Sequence, residues 1–243
     1  MIFSMKTDKG IVREINQDGY FVTAFDENTC FAVVCDGMGG PKAGDIASEM
    51  AIRNISERFV SAWRKDISPS SVRNLITTAF SAANILIFDE AQDNKDYEGM
   101  GTTAVAVYIS DGYALIANVG DSRAYLLGDT ISQITKDHSL MQELIDTGKL
   151  DEVDSKYFPY KNLITRALGI KEHVEIDFSE VTVNENNSIL LCSDGLTNYV
   201  SDNDILKIIN ESEINKTAEK LVDAANSNGG GDNITVVVLS NKG

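Results

Sequence analysis

Apolar residues along this chain follow two spacings, and the change from one to the other marks out its elements. Gly19 to Phe25 and Cys30-Phe31-Ala32-Val33-Val34-Cys35 are short β-branched and aromatic runs that read as strands. The second is apolar without interruption, which predicts burial on both faces. The spacing then changes. Ala47, Ala51, Ile55, Phe59 and Trp63 recur every fourth residue, and Val72, Ile76, Ala79, Ala83 and Ile87 recur every third or fourth after an N-cap serine and first-turn proline at Ser68-Pro69. Two amphipathic helices are expected there.

From Gly101 onward the short period returns. Thr103 to Ile109, Tyr113 to Val119, Ser122 to Leu127 and Thr130 to Ile134 are separated by Ser110-Asp111-Gly112, Gly120-Asp121 and Gly128-Asp129, and connections this short predict an antiparallel meander. The polar stretch from Ser139 to Leu163, with one short helical pattern and Pro159, reads as a surface flap. Strands are expected again at Val174 to Val183, Ser188 to Cys192 and Ile234 to Leu239, with helices near Asp202 to Ile209 and Lys216 to Ala225. No linker or repeat divides the chain. Residues 1–243 are therefore read as one α+β domain with helices packed outside antiparallel sheets and a flap at about 139–164.

Composition narrows the possible tasks. The 37 acidic against 21 basic residues leave a net charge of −16, which repels nucleic-acid phosphates and anionic membrane surfaces. Neither nucleic acid nor a membrane is expected as a partner. The start of the chain lacks a secretion signal, and no uninterrupted apolar run of about 18 residues suggests a span. The odd set Cys30, Cys35 and Cys192 lies in apolar runs as reduced core thiols, so a cytoplasmic location is expected. The chain is also expected to be a monomer.

The candidate chemistry lies where apolar runs meet aspartate and glycine. Val33-Val34-Cys35-Asp36-Gly37-Met38-Gly39-Gly40, Leu190-Leu191-Cys192-Ser193-Asp194-Gly195 and Gly229-Gly230-Gly231-Asp232-Asn233-Ile234 repeat that arrangement. A single Asp-Gly is usually a turn. Three carboxylates at the ends of buried strands are held rigidly, and if they converge, either their pKa values rise or a cation sits among them. Oxygen ligands alone favour a hard ion, Mg²⁺, Mn²⁺ or Ca²⁺.

Eight motifs follow one another along the chain: Arg13 with Asn16-Gln17-Asp18, Asp36-Gly37-Met38-Gly39-Gly40, Gly101-Thr102-Thr103, Gly120-Asp121-Ser122-Arg123, Asp137-His138-Ser139, Thr165-Arg166-Ala167-Leu168-Gly169, Ser193-Asp194-Gly195-Leu196 and Gly231-Asp232-Asn233-Ile234-Thr235. In this order they resemble those of the protein phosphatase type 2C (PPM-type) family, most closely its compact bacterial members. The resemblance implies a sandwich of two antiparallel β-sheets flanked by α-helices, in four layers α-β-β-α, with a metal centre at one end. It also implies two or three Mg²⁺ or Mn²⁺ ions. Asp36 would bridge two, Gly37 would offer its carbonyl to one, Asp194 and Asp232 would bind the other, and Asp121 would help hold a third. Asp18 would accept from metal-bound waters, and the fork of Arg13 would grip the phosphate.

The implied reaction is hydrolysis of phosphoserine and phosphothreonine in substrates of serine/threonine kinases, by direct attack of a metal-bridging hydroxide. A phosphatase dedicated to one partner and a non-catalytic phosphoprotein-binding module are the alternatives. Three positions depart from the family pattern: Met38 replaces the histidine of many eukaryotic members, Gln17 replaces a frequent glutamate, and Phe158-Pro159-Tyr160 lacks a histidine often found before that proline. His138 is expected to be structural.

Overall fold

The computed structural model describes residues 1–40, 43–151, 160 and 163–240. Its strands form two antiparallel sheets. The first has the order β1 (Ile2–Asp8), β11 (Ile234–Ser240), β10 (Ser188–Cys192), β7 (Arg123–Leu127), β8 (Ile131–Gln133). The second runs β2 (Asp18–Ala24), β3 (Thr29–Met38), β5 (Ala104–Ser110), β6 (Tyr113–Val119), β9 (Asp177–Thr182), with the two-residue β4 (Gly101–Thr102) paired to the end of β3.

Side-chain alternation turns these sheets into four layers. In β3, Phe31, Val33 and Cys35 face α1 (Gly44–Ala62) and α2 (Pro69–Asp93), while Cys30, Ala32 and Val34 face the opposite sheet. In β11, Ile234, Val236 and Val238 lie under α5 (Asp202–Asn210) and α6 (Ile214–Ser227), and Val237 and Leu239 join the layer between the sheets. Both strands are thus buried on two faces, which is why they read as continuous apolar runs. This is the α-β-β-α sandwich of the expected α+β class.

Helix α2 begins as the sequence predicts. Ser68 Oγ accepts from the Ser71 N–H at 3.2 Å, and Pro69 occupies the first turn of α2. Among the described residues α2 is the one helix long and apolar enough to cross a membrane. Its apolar stripe, Val72, Ile76, Phe80 and Ile87, is instead fully buried in the core beneath it.

Two features correct the expected order. Residues 101–134 do not form one meander: β5 pairs β6 and β7 pairs β8, but the Gly120–Ser122 connection carries the chain from one sheet to the other. The turn is built for that switch, since Gly120 has φ +111° and its Cα lies so close to Thr103 that a Cβ would clash. The second feature is β1, an edge strand that pairs β11 along its whole length. Of the flap, α3 (Leu140–Asp146) is present, capped by Ser139; Phe158-Pro159 lies outside the described residues.

Candidate active site

Strand ends from both sheets meet at one pole of the sandwich. β3 delivers Asp36 and Gly37, β2 begins with Asp18 paired opposite Asp36, and Asp194 follows β10. Asp232 precedes β11, and the crossover between β6 and β7 supplies Asp121. Asp36, Gly37, Asp121, Asp194, Asp232 and Arg13 line one open cavity of about 480 Å³, with Asp18 behind its wall. Among the described residues lining it, Arg13 is the single cation.

Close backbone packing holds the strand ends together. A Cβ on Gly37 would meet the Gly44 carbonyl oxygen at 1.9 Å, and one on Gly195 would meet the Asn233 carbonyl oxygen at 1.9 Å. Only glycine permits these approaches. The Thr103 hydroxyl accepts from the Asp36 N–H at 2.9 Å and bonds Ser122 Oγ at 2.7 Å, tying the end of β3 to the turn that carries Asp121. Ser193 Oγ donates to Asp18 Oδ2 at 2.7 Å and accepts from the Thr235 N–H at 2.9 Å, joining the two sheets behind the cavity. Asn233 spans the same gap, its Oδ1 accepting from the Gln17 N–H and its Nδ2 donating to the carbonyls of Lys9 and Ile15.

Electrostatics at this pole favour a cation. Burial, then the charges of Asp18, Asp194, Asp121 and Asp232, push the Asp36 carboxyl well above its usual range. Burial likewise raises Asp18 and Asp121 to about 7 and Asp194 to about 6. Asp18 Oδ1 is buried without a hydrogen-bond partner, a cost that a positive charge or its bound water would relieve. Among the described residues no three Asp, Glu, His or Cys side chains cage an ion by themselves. The carboxylates and the Gly37 carbonyl are spread around an open space, which suits an ion such as Mg²⁺ that keeps several waters.

Every site residue expected from sequence lies at this pole. Arg13 extends along the rim, its Nη2 donating to Asp232 Oδ2 at 3.0 Å. Gln17 turns its amide to the Gly40 carbonyl at 2.8 Å. His138 is structural: Nδ1 accepts from the Gly120 N–H at 3.0 Å, Nε2 lies 3.2 Å from Asp177, and the ring is absent from the cavity lining. Ser193 and Asn233 belong to the recognised motifs but carry no role there, and Asn198 lies outside them. Asn198 Nδ2 donates to Asp194 Oδ2 at 2.9 Å. A polar residue one turn after Asp194, at the C-cap of the short helix α4 (Asp194–Thr197), is the available signal for it.

Known proteins share this arrangement. A family model for protein phosphatase 2C matches residues 11–230. The serine/threonine phosphatase stp of Listeria welshimeri is 39% identical over 239 residues, covering 96% of this chain and 93% of its own. The Streptococcus agalactiae serine/threonine phosphatase superposes with a TM-score of 0.92 at 34% identity, covering 98% of both chains. The catalytic domain of the serine/threonine phosphatase PstP, in complex with two manganese ions, has a TM-score of 0.84 at 32% identity, covering 98% of this chain and 97% of that one. Members of this family depend on metal ions and act on phosphorylated proteins. The chain belongs to the protein phosphatase 2C family and is a protein-serine/threonine phosphatase.

Proposed function

We propose that the chain hydrolyses phosphoserine and phosphothreonine in proteins at a centre of two or three Mg²⁺ or Mn²⁺ ions. Asp36, the Gly37 carbonyl, Asp194 and Asp232 would hold two of them, and Asp121 would help to hold a third. The observation that carries this reading is the convergence of four raised or crowded carboxylates and one guanidinium on a single cavity. When bound, a pair of such ions supplies a hydroxide nucleophile at neutral pH by lowering the pKa of a shared water.

The chain's own groups do the remaining work. Asp18 accepts from water at the back of the centre through its unpartnered Oδ1. Arg13, at the rim, turns its planar fork to two phosphoryl oxygens, and its donors stabilise the charge that grows there during transfer. Thr103 and Ser193 keep Asp36, Asp121 and Asp18 in register, so little reorganisation accompanies the reaction. Met38 lines the cavity without a transferable proton and His138 is committed to the fold. The leaving alkoxide therefore takes its proton from water or from another acid in the open cavity. The substrates are proteins modified by serine/threonine kinases. Residues 1–243 act as one catalytic domain with its flap at about 139–164, as a cytoplasmic monomer.

The test is hydrolysis of an aryl phosphate and a phosphothreonine peptide, with and without Mn²⁺, by the wild type and Asp194→Asn. Turnover only with added metal, lost in the variant, is expected. Metal-independent turnover or full activity in Asp194→Asn would refute the proposal.

A further inference from the structure

The rim of the cavity carries a feature that phosphate chemistry does not need. Ile11 and Val12, immediately before Arg13, are each 67% exposed, and Ile15 just after it is 43% exposed. In a chain of net charge −16, neighbouring aliphatic side chains left in water at a functional rim mark a contact surface. They are also held in place. The N–H groups of Ile11 and Val12 donate to the Gly230 carbonyl at 2.7 and 3.3 Å, two residues before Asp232. Gly10, at φ +77°, lies so close to Asp232 that a Cβ would come within 2.2 Å of its carbonyl oxygen. The segment is thus clamped to the loop that bears a site carboxylate.

Apolar groups also reach into the cavity itself, where Ile15 and Ile164 line the wall with the aspartates. A polypeptide whose phosphorylated residue is gripped by Arg13 places its adjacent Cα about 3.8 Å further along the chain. A substrate chain that runs back over the rim from Arg13 would carry such a neighbour towards Ile11 and Val12, which precede Arg13 just outside the cavity lining. We propose that Ile11 and Val12 form an apolar subsite for a residue flanking the phosphorylated serine or threonine, so that the phosphatase prefers substrates with an aliphatic neighbour there. The inference rests on the phosphatase reading above. The occupant is a substrate polypeptide, because the ridge is continuous with the site that would bind its phosphate.

The experiment compares two phosphothreonine peptides, identical except that the residues on both sides of the phosphothreonine are Leu in one and Ser in the other. Partly covering one leucine is worth about tenfold in kcat/KM. The wild type should therefore favour the Leu peptide by about that factor, and the double variant Ile11→Ser/Val12→Ser should reduce the ratio to about one. Aryl phosphate hydrolysis, which offers no flanking residue, should be retained in the variant. An equal rate on both peptides by the wild type, an unchanged ratio in the variant, or a parallel loss on aryl phosphate would each overturn the subsite. Dimerisation or binding to phosphatidylcholine/phosphatidylglycerol vesicles that the double variant abolishes would assign the ridge to a second copy or a lipid surface instead. No Mn²⁺-dependent aryl phosphate turnover by the wild type would defeat the catalytic reading, a result distinct from all of these.

Discussion

Replacing Asp194 with asparagine should make the metal-free protein more stable while abolishing its activity. Burial, followed by the charge of Asp232, raises the Asp194 carboxyl from 3.8 to about 6, so keeping it ionised in the folded state at pH 8 costs about 3 kcal/mol. Asparagine removes that cost and keeps an acceptor for Asn198 Nδ2. For a domain of this size the gain corresponds to roughly 6–12 °C in Tm. The sign follows from linkage. A carboxyl whose folded pKa lies above its unfolded one takes up a proton more readily when folded, so its penalty is full above about pH 6 and fades as pH falls towards 3.8. The variant's advantage in chelator should therefore shrink to below about 1 kcal/mol by pH 4. Adding Mn²⁺ should reverse the order, because the ion stabilises the wild type by mass action and the variant binds it poorly. The assay is thermal unfolding of both proteins in EDTA and in Mn²⁺ across this pH range. A variant that melts no higher than the wild type in EDTA at pH 8, or an advantage equally large at pH 4, would refute the electrostatic reasoning.

Arg13→Ala should lower kcat/KM for an aryl phosphate by about 10–100-fold, mainly through KM, by removing charge-assisted bonds to phosphate. Mn²⁺ affinity measured by titration calorimetry should stay close to that of the wild type, and equal kinetics would remove Arg13 from the site. Gly10→Ala forces a Cβ against the carbonyls of Asp232 and Gly230 at a positive φ. It should cost about 2–3 kcal/mol in denaturant unfolding and reduce turnover with every substrate. Asn84 is buried, donates to the carbonyls of Lys171 and Glu172, and accepts from the Gly169 N–H. Asn84→Ala should lose about 3 kcal/mol and speed hydrogen exchange at Gly169.

What sequence revealed of the site follows from how it is built. Asp36 lies near the end of a strand buried on both faces, Asp194 closely follows another and Asp232 closely precedes a third, so apolar runs lead the eye to each carboxylate. Their convergence, however, depends on which sheet each strand joins. The Gly120-Asp121 turn looks like a hairpin and is a crossover between sheets, because the fate of the next strand is set by pairing with β10, more than sixty residues away. Strand β1 escaped notice for a different reason. As an edge strand it exposes Met5 and Lys6 and buries Ser4, whose Oγ accepts from the Ala218 N–H, so its pattern is not the apolar alternation of an inner strand. The bonds of Ser193 and Asn233 link residues far apart in the chain, and their local sequence is that of ordinary turn residues.

If Asp36, Asp194 and Asp232 hold the metal ions at the cavity, crystals grown with Mn²⁺ and measured at the manganese absorption edge should show it. Two strong anomalous peaks are expected in the cavity, with Asp36 between them, Gly37 beside one and Asp194 and Asp232 beside the other. Peaks absent from this pole, or bound elsewhere while the protein remains active, would contradict it.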